Sequence, residues 1–177
     1  MLKFVNVVEE KNKVIFLDID GVITSARTGW FNFDIYAVNF FIWLCERSSA
    51  KLVISSTWRY NHNKIFWDKI FPECMHEDYK TPVIYTSARG EYIRGDEIKM
   101  WLDNHPETTE YLIVDDDADM LEEQKNSFIQ TDGHNGLTFQ NMDAIVAFFH
   151  IWDYPYTSCD NSVKKLHIVD EMFDLKP

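Results

Sequence analysis

The chain has 177 residues, a formal net charge of −12 and an apolar fraction of 46%. This length fits one domain whose core needs neither a disulfide nor a structural metal, and the composition excludes an intrinsically disordered chain. The negative charge repels phosphate backbones and anionic lipid, so it disfavours extended nucleic-acid binding and a membrane-surface partner.

Cysteine usage and hydropathy indicate the compartment. Cys45, Cys74 and Cys159 are scattered without a Cys-x-x-Cys spacing, which is typical of reduced thiols rather than of a disulfide framework. Residues 1–13 lack the apolar stretch of a secretory signal, and no apolar run reaches the ~20 residues that a membrane span needs. We therefore expect a cytoplasmic protein with no membrane partner.

Apolar runs alternate with amphipathic segments along the chain, which is the pattern of an α/β domain. The spacing of apolar residues predicts strands at 14–17, 52–54, 82–85, 111–114 and 127–130, and helices at 35–47, 63–71, 96–104 and 142–150. Continuous apolar strands separated by helices indicate a parallel sheet covered on both faces. We predict a three-layer, Rossmann-like α/β fold.

One domain at residues 1–150 accounts for all the predicted elements. Residues 151–177 form a tail rich in Trp, Tyr and Asp. We expect the tail to pack on the same domain, and a partner-binding segment is the alternative.

Two aspartates follow the first predicted strand. Asp18-Ile19-Asp20-Gly21 stands where the chain leaves the sheet, and ligands of parallel sheets bind beyond the carboxyl ends of the strands. Gly21 permits a turn that lets both carboxylates face one crevice. Taken alone, this motif is explained equally well by a plain turn after a strand.

Hydroxyl groups follow the second predicted strand, and a basic residue opens the third predicted helix. Ser55 and Ser56 can hold a phosphate oxygen, although a helix N-cap is the stronger explanation for this segment alone. Arg94 can bind a phosphate through two hydrogen bonds, and Lys99 is its rival one turn further on. For either residue alone, a solvated surface charge is an equally good explanation.

Four carboxylates crowd into five residues after the fourth predicted strand, at Asp115, Asp116, Asp117 and Asp119. Their mutual repulsion is most simply offset by a hard cation. A solvated acidic loop is the weaker alternative, because residues 111–114 enter the core directly before the cluster. In a parallel sheet, the groups at these three strand ends converge on one crevice.

These segments, taken together, resemble the motifs of the haloacid dehalogenase-like (HAD) superfamily of phosphatases. An apolar strand precedes Asp18-x-Asp20-Gly21, a second ends in Ser55, and a third ends in Asp115-Asp116. The resemblance covers residues 13–149. The local sequences at 54–59 and 113–119 are similar to a small-cap subgroup of phage and bacterial proteins, some of them linked to RNA repair.

The superfamily usually has a Lys-Gly pair where this chain has Arg94-Gly95. The identity of the basic residue therefore stays open between Arg94 and Lys99. The resemblance implies that the residue at this place, together with Ser55 and the backbone at Ser56, holds the non-bridging oxygens of a phosphate.

The resemblance also implies a catalytic division between two carboxylates. Asp18 would attack phosphorus and form an aspartyl phosphate, and Asp20 would protonate the leaving oxygen and then activate water. It places Mg²⁺ on Asp18, on the backbone carbonyl of Asp20 and on Asp115, with Asp116 nearby. The implied cofactor is therefore Mg²⁺, and the implied partner is a phosphorylated substrate.

The substrate is predicted from the room left for a lid. Only 34 residues separate Asp20 from Ser55, and one helix with a short flap at 24–33 uses them, so we expect a minimal cap. An open crevice favours an accessible phosphate of a macromolecule, such as an oligonucleotide end or a phosphopeptide. On the flap, Trp30, Phe31 and Phe33 would stack on a base or an aromatic side chain, or else belong to the core.

Three alternatives remain at this point. One is a phosphatase of nucleotides or other small metabolites. The others are a phospho-accepting, receiver-like signalling module and a binding module that has lost catalysis. The order of the motifs favours the phosphatase over the receiver, because Asp18-x-Asp20 follows the first strand and the acidic cluster comes late.

Overall fold

A computed structural model of the protein describes residues 12–84 and 93–151. Within those ranges the chain alternates between five strands and four α-helices. In chain order they are β1 (Asn12–Leu17), α1 (Ile35–Ser48), β2 (Lys51–Ile54), α2 (Lys64–Ile70), β3 (Met75–Lys80), α3 (Arg94–Asn104), β4 (Thr108–Asp115), β5 (Phe128–Gln130) and α4 (Phe139–Phe148). Two 3₁₀ turns lie at Thr57–Tyr60 and Glu122–Ser127.

The five strands form one sheet in the order β3-β2-β1-β4-β5, and every neighbouring pair is parallel. Leu17 of β1 pairs with Ile54 on one side and with Val114 on the other. The chain proceeds outward from β1 to β3 and then returns to the other side of β1, so the strand order reverses between β1 and β4. In open parallel sheets the ligand crevice lies beyond the carboxyl ends of the strands at such a reversal.

Helices cover both faces of the sheet. Successive residues of a strand point to opposite faces, so each central strand contributes side chains to two cores. Ile15 and Leu17 of β1 face a large core that receives apolar residues of α1, α2 and α4. Val14 and Phe16 face a smaller core built on α3, which contributes Ile98 and Trp101. The predicted three-layer, Rossmann-like α/β fold is therefore confirmed.

The predicted third strand is wrong. The structure places β3 at Met75–Lys80, whereas residues 82–84 lie outside any strand and Tyr85 is outside the described residues. β3 is an edge strand in this sheet, mostly polar and only partly buried, so it lacks the apolar run on which the prediction relied. Pro82 has no N–H group to donate to a strand ladder.

The remaining elements lie close to their predicted positions, with shifts of a few residues at their ends. Cys45 and Cys74 are free, buried thiols, in agreement with the predicted reduced state. Of the predicted tail, only Ile151 is described, and it is buried. None of the helices described in residues 12–84 and 93–151 combines the length and hydropathy of a membrane span.

Candidate active site

Three aspartate carboxylates converge where β1 and β4 end. The backbone N–H of Asp18 donates to Val114 O at 3.0 Å, which fixes the first residue after β1 beside the end of β4. One carboxylate oxygen from each of Asp18, Asp115 and Asp116 lies within 4.8 Å of the other two. Asp18 and Asp115 are buried and Asp116 is half-buried. The predicted convergence of the first and fourth motifs is therefore present in the structure.

Two glycines make room for Asp116. A Cβ at Gly21 would lie 2.2 Å from Asp116 Cγ, and a Cβ at Gly133 would lie 2.6 Å from Asp116 Oδ2. Gly21 also has φ +76°, a backbone conformation that glycine adopts with little strain. Gly133 follows β5 and has no place in the sequence motifs. A side chain at either glycine would therefore have to displace Asp116 from this niche.

Within the described parts of the chain, the Arg94 guanidinium lies against this carboxylate cluster. Arg94 Nη1 lies 2.5 Å from Asp18 Oδ1 and 3.1 Å from Asp115 Oδ2. Arg94 is the first residue of α3, and its backbone N–H donates to Asp119 Oδ2 at 2.9 Å. Lys99 instead points to solvent and binds both carboxylate oxygens of Asp103 at 2.9 Å. Of the two basic candidates, the structure brings Arg94 to the site.

Burial makes it costly for all three carboxylates to be ionised together. It raises the pKa of Asp18, even though Arg94 and a hydrogen bond from Ser56 act in the opposite direction. The pKa of Asp115 is raised to about 8, first by burial and then by the charge of Asp18. Burial and Asp18 also raise the pKa of Asp116 to about 6. One arginine therefore does not balance the cluster at neutral pH.

These residues fit a hard divalent cation. Asp115 Oδ2 is buried and accepts no hydrogen bond from the residues described, although the Arg94 charge lies near it. A set of carboxylate oxygens is the donor set that Mg²⁺ prefers, and a bound cation would favour the ionised form of all three groups. Asp18, Asp115 and Asp116 can therefore supply ligands to Mg²⁺.

Asp20 has hydrogen-bond partners outside this cluster. Thr24 Oγ1 donates to Asp20 Oδ1 at 2.9 Å, and the indole Nε1–H of Trp58 donates to Asp20 Oδ2 at 2.9 Å. The Trp58 ring lies 5.5 Å from Phe33 and 5.3 Å from His62 between ring centroids, so aromatic contacts fix the donor. The two carboxylates of the Asp-x-Asp motif therefore have different surroundings.

The two serines after β2 have different roles in the fold. Ser56 Oγ accepts a hydrogen bond from Trp58 N at 3.4 Å and caps the 3₁₀ turn, as the predicted N-cap alternative requires. Ser55 Oγ is fully buried and has no hydrogen-bond partner in the described parts of the chain. A buried hydroxyl without a partner is uncommon, so it is the group here that fits an oxygen of a bound ligand.

The sequence alone did not predict the ion pair that joins the segment with Ser55 and Ser56, called the serine loop below, to α3. Arg59 Nη1 donates to Ser55 O at 2.5 Å and to Ser56 O at 2.8 Å, and Arg59 Nη2 donates to Glu97 Oε2 at 2.5 Å. Both charged side chains are fully buried. The partners are 38 residues apart, and no local spacing predicts such a pair.

The flap, residues 24–33, lies beside the cluster and forms turns. Phe33 is partly buried and packs against Trp58, so its core alternative is the observed one. Trp30 and Phe31 are 43% and 75% exposed. A Cβ at Gly133 would touch both Asp116 Oδ2, at 2.6 Å, and the Trp30 ring, at 3.5 Å. The Trp30 indole is therefore a near neighbour of Asp116.

The site lies at the carboxyl ends of β1 and β4. In residues 12–84 and 93–151, the segment between Asp20 and α1 forms only turns and no folded cap. A cavity of about 460 Å³ lies elsewhere, between β3 and the end of α3, with Trp101 and His105 in its wall. None of the clustered aspartates lines that cavity, so it is separate from the carboxylate cluster.

A comparison with known protein families matches residues 14–142 to the family described as "HAD domain in Swiss Army Knife RNA repair proteins". Comparisons with curated proteins and with solved structures found no match. The matched segment runs from β1 into α4, so it contains the whole carboxylate cluster, Arg94 and the serine loop. The chain therefore belongs to the family of HAD domains that occur in Swiss Army Knife RNA repair proteins.

Proposed function

We propose that this protein is a magnesium-dependent phosphomonoester hydrolase that acts on a phosphate at the end of an RNA strand. The observation that carries the proposal is that the two motif aspartates have different partners. Asp18 lies buried among Arg94, Asp115 and Asp116, and Asp20 accepts hydrogen bonds from Thr24 and Trp58. Two carboxylates in different surroundings can divide the tasks of nucleophile and general acid.

The first step transfers the phosphoryl group to the protein. A carboxylate oxygen of Asp18 forms a bond to phosphorus while the ester P–O bond breaks, and the departing oxygen takes a proton from Asp20. In the second step Asp20 accepts a proton from water as the water oxygen attacks phosphorus. The bond between phosphorus and Asp18 then breaks and releases inorganic phosphate.

Two groups are available to hold the phosphate oxygens. Arg94 is fixed at the start of α3 with its guanidinium beside Asp18, and the Ser55 hydroxyl has no hydrogen-bond partner among the described residues. Donors that are already in place need little reorganisation when charge develops on the phosphate. When bound by Asp18, Asp115 and Asp116, Mg²⁺ would offset the repulsion between Asp18 and the phosphate, about 4 kcal/mol for a unit pair at 4 Å and an effective dielectric constant of 20.

The choice of an RNA end has two supports. The family is described as occurring in RNA repair proteins, and the described residues carry no folded cap that would enclose a small metabolite. An enzyme with an open crevice gains little from closing over a small substrate, but it admits the end of a long one. Phosphopeptides and free nucleotides are the alternatives that the experiment must separate.

The test compares Asp18→Asn with Asp117→Asn. Asp18→Asn should abolish phosphate release from RNA oligonucleotides phosphorylated at either end, because an amide cannot form the aspartyl phosphate. Asp117 is exposed and lies outside the carboxylate cluster, so its exchange should leave turnover near that of the unchanged protein. Circular dichroism checks that both variants are folded.

Three results would contradict the proposal. The first is substantial turnover by Asp18→Asn, and the second is activity that survives exhaustive treatment with EDTA. The third is an acyl phosphate on Asp18 that persists for minutes to hours without turnover, as a receiver-like module would show. If a sugar phosphate or a free nucleotide has a tenfold higher kcat/KM than every other substrate in a panel, the substrate is a small metabolite and not an RNA end.

A further inference from the structure

The flap has a charge that differs from that of the rest of the chain. Residues 24–33 contain no Asp or Glu and one Arg, although the whole chain has a net charge of −12. Arg27 forms an ion pair with Asp34 and donates from Nε to Asn135 O at 3.0 Å. An anionic ligand that approaches Asp18 over the flap therefore meets no carboxylate of the flap itself.

The flap is held in a fixed position beside the site. Ala26 N donates to Gly133 O at 3.2 Å, and Arg27 N donates to His134 O at 3.0 Å. These bonds join the flap to the loop between β5 and α4, which also supplies the Gly133 wall of the Asp116 niche. The position of Trp30 relative to Asp116 is therefore set by backbone hydrogen bonds.

Trp30 occupies a backbone conformation that does not favour tryptophan. Its φ is +60°, in the left-handed region where Gly and Asn are the usual residues and a bulky side chain is uncommon. Its N–H donates to Ser25 O at 2.8 Å, so the turn is closed by the backbone and not by the indole. The ring is 43% exposed, and core packing therefore does not account for it. Strain of this kind in an observed structure points to a functional role for the residue.

We propose that the exposed part of the Trp30 indole stacks on the nucleobase of the nucleotide whose phosphate Asp18 attacks, an inference that rests on the proposed function. The indole borders the same glycine as Asp116, so a base joined to the phosphate through one ribose reaches it. Phe31, 75% exposed, extends the aromatic surface. One stacked base needs no basic groove, which agrees with the acidic charge of the chain.

The test is a two-by-two comparison of proteins and ligands. The ligands are two RNA oligonucleotides with a terminal phosphate, of which one has an ordinary terminal nucleotide and the other an abasic ribose. The two proteins are the Asp18→Asn variant and the double variant that also carries Trp30→Asn. Binding of each oligonucleotide to each protein is measured by calorimetry in the presence of Mg²⁺. Asparagine suits the left-handed conformation, so this exchange removes the aromatic ring without straining the flap.

Trp30→Asn should weaken binding of the base-bearing oligonucleotide by roughly 5- to 150-fold, the range measured for one stacked base. Binding of the abasic oligonucleotide should stay within error. Trp30→Phe should restore most of the affinity, because it returns an aromatic face. The matched control Phe139→Asn exchanges another exposed aromatic, at the start of α4, and should change neither affinity.

The outcomes separate this inference from the proposed function. If Trp30→Asn weakens the binding of both oligonucleotides equally, or of neither, the proposed stacking of Trp30 on the base is wrong. A phosphopeptide that binds more tightly than the base-bearing oligonucleotide, and in a Trp30-dependent way, would overturn the nucleobase as its ligand. Base-dependent binding without phosphate release by the unchanged protein would support the stack and contradict the hydrolase.

Discussion

Trp58 is the residue that most clearly separates the surroundings of Asp18 and Asp20. Its indole N–H donates to Asp20 Oδ2, and its ring packs between Phe33 and His62. Asp20 therefore has a fixed position, as a general acid requires if it is to reach the leaving oxygen. Trp58 acts through Asp20, so it is a positioning residue.

Trp58→Phe keeps a ring in this position and removes the hydrogen bond. We expect kcat for an alkyl phosphate to fall about tenfold, which corresponds to about 1.4 kcal/mol, a typical energy for a hydrogen bond to a charged group. Turnover of p-nitrophenyl phosphate should change much less, because its leaving group needs little protonation. The matched control is Trp67→Phe, since Trp67 Nε1 has no partner in the described residues and should affect stability only. Equal losses for both substrates would refute the positioning role.

Gly21→Ala should disturb the cation site through Asp116. The new Cβ would lie 2.2 Å from Asp116 Cγ, and φ +76° adds strain of about 1–2 kcal/mol. We expect a higher Mg²⁺ concentration for half-maximal activity and a lower free energy of unfolding.

Two further glycines serve as controls for Gly21→Ala. Gly133→Ala touches the end of the Asp116 side chain without a positive φ, so it should raise the Mg²⁺ requirement with little loss of stability. Gly136→Ala has φ +69° and approaches Ser25 instead, so it should lower stability and leave the Mg²⁺ requirement unchanged. An unchanged Mg²⁺ requirement in both Gly21→Ala and Gly133→Ala would remove Asp116 from the cation site.

At the scale of elements, the proposed phosphate site requires a fixed distance between the serine loop after β2 and the helix α3, because each would supply one side of it. The Arg59–Glu97 pair spans that distance, and Ile84 N donates to the second carboxylate oxygen of Glu97 at 3.2 Å. In the described residues, no pairing between strands connects the serine loop with α3. The buried pair therefore joins two elements that the sheet alone does not connect.

Glu97→Ala would leave the buried Arg59 charge without its carboxylate. We expect a loss of about 3–5 kcal/mol in the free energy of unfolding, measured in urea, because an uncompensated buried charge is strongly unfavourable. The matched control lies on the same helix. Asp103→Ala breaks the exposed pair with Lys99 and should cost no more than about 0.5 kcal/mol. Similar decreases in the free energy of unfolding for the two variants would show that the buried pair stabilises the fold no more than the exposed pair does.

At the scale of the whole molecule, the chain and its proposed substrate both have a negative charge. The net charge of −12 gives long-range repulsion of an oligonucleotide, whereas the flap adds no carboxylate, its Arg27 being paired with Asp34, and Arg94 places a cation beside Asp18. Salt screens the long-range part over about 10 Å at 0.1 M ionic strength. Contacts with one terminal nucleotide release few counterions.

We therefore expect kcat/KM for a phosphorylated oligonucleotide to stay constant or rise when salt increases from about 50 to about 200 mM. Extending the oligonucleotide beyond a few nucleotides should give no gain, because a chain with a net charge of −12 repels the added phosphates. p-Nitrophenyl phosphate, a small monoester without further phosphates, reports the effect of salt on the assay itself. A tenfold fall in kcat/KM over this salt range would contradict the prediction and would indicate an extended basic surface.

The sequence by itself determined most of the elements and the members of the carboxylate cluster. Buried parallel strands are continuous apolar runs, and helices that cover them repeat at 3.6 residues, so both are visible in local sequence. Because parallel strands end at one edge, Asp18 and Asp115 were expected together before any contact was known. The edge strand β3 was missed, since its polar residues satisfy neither pattern.

The tertiary structure alone decided which side chains meet. Arg94 and Lys99 are five residues apart, so at 100° per residue they point to different sides of α3, and the packing of Ile98 and Trp101 selects Arg94 for the site. The Trp58–Asp20 bond and the Arg59–Glu97 pair each join residues 38 positions apart. Such partners depend on how helices and loops are placed on the sheet, and local spacing carries no information about that placement.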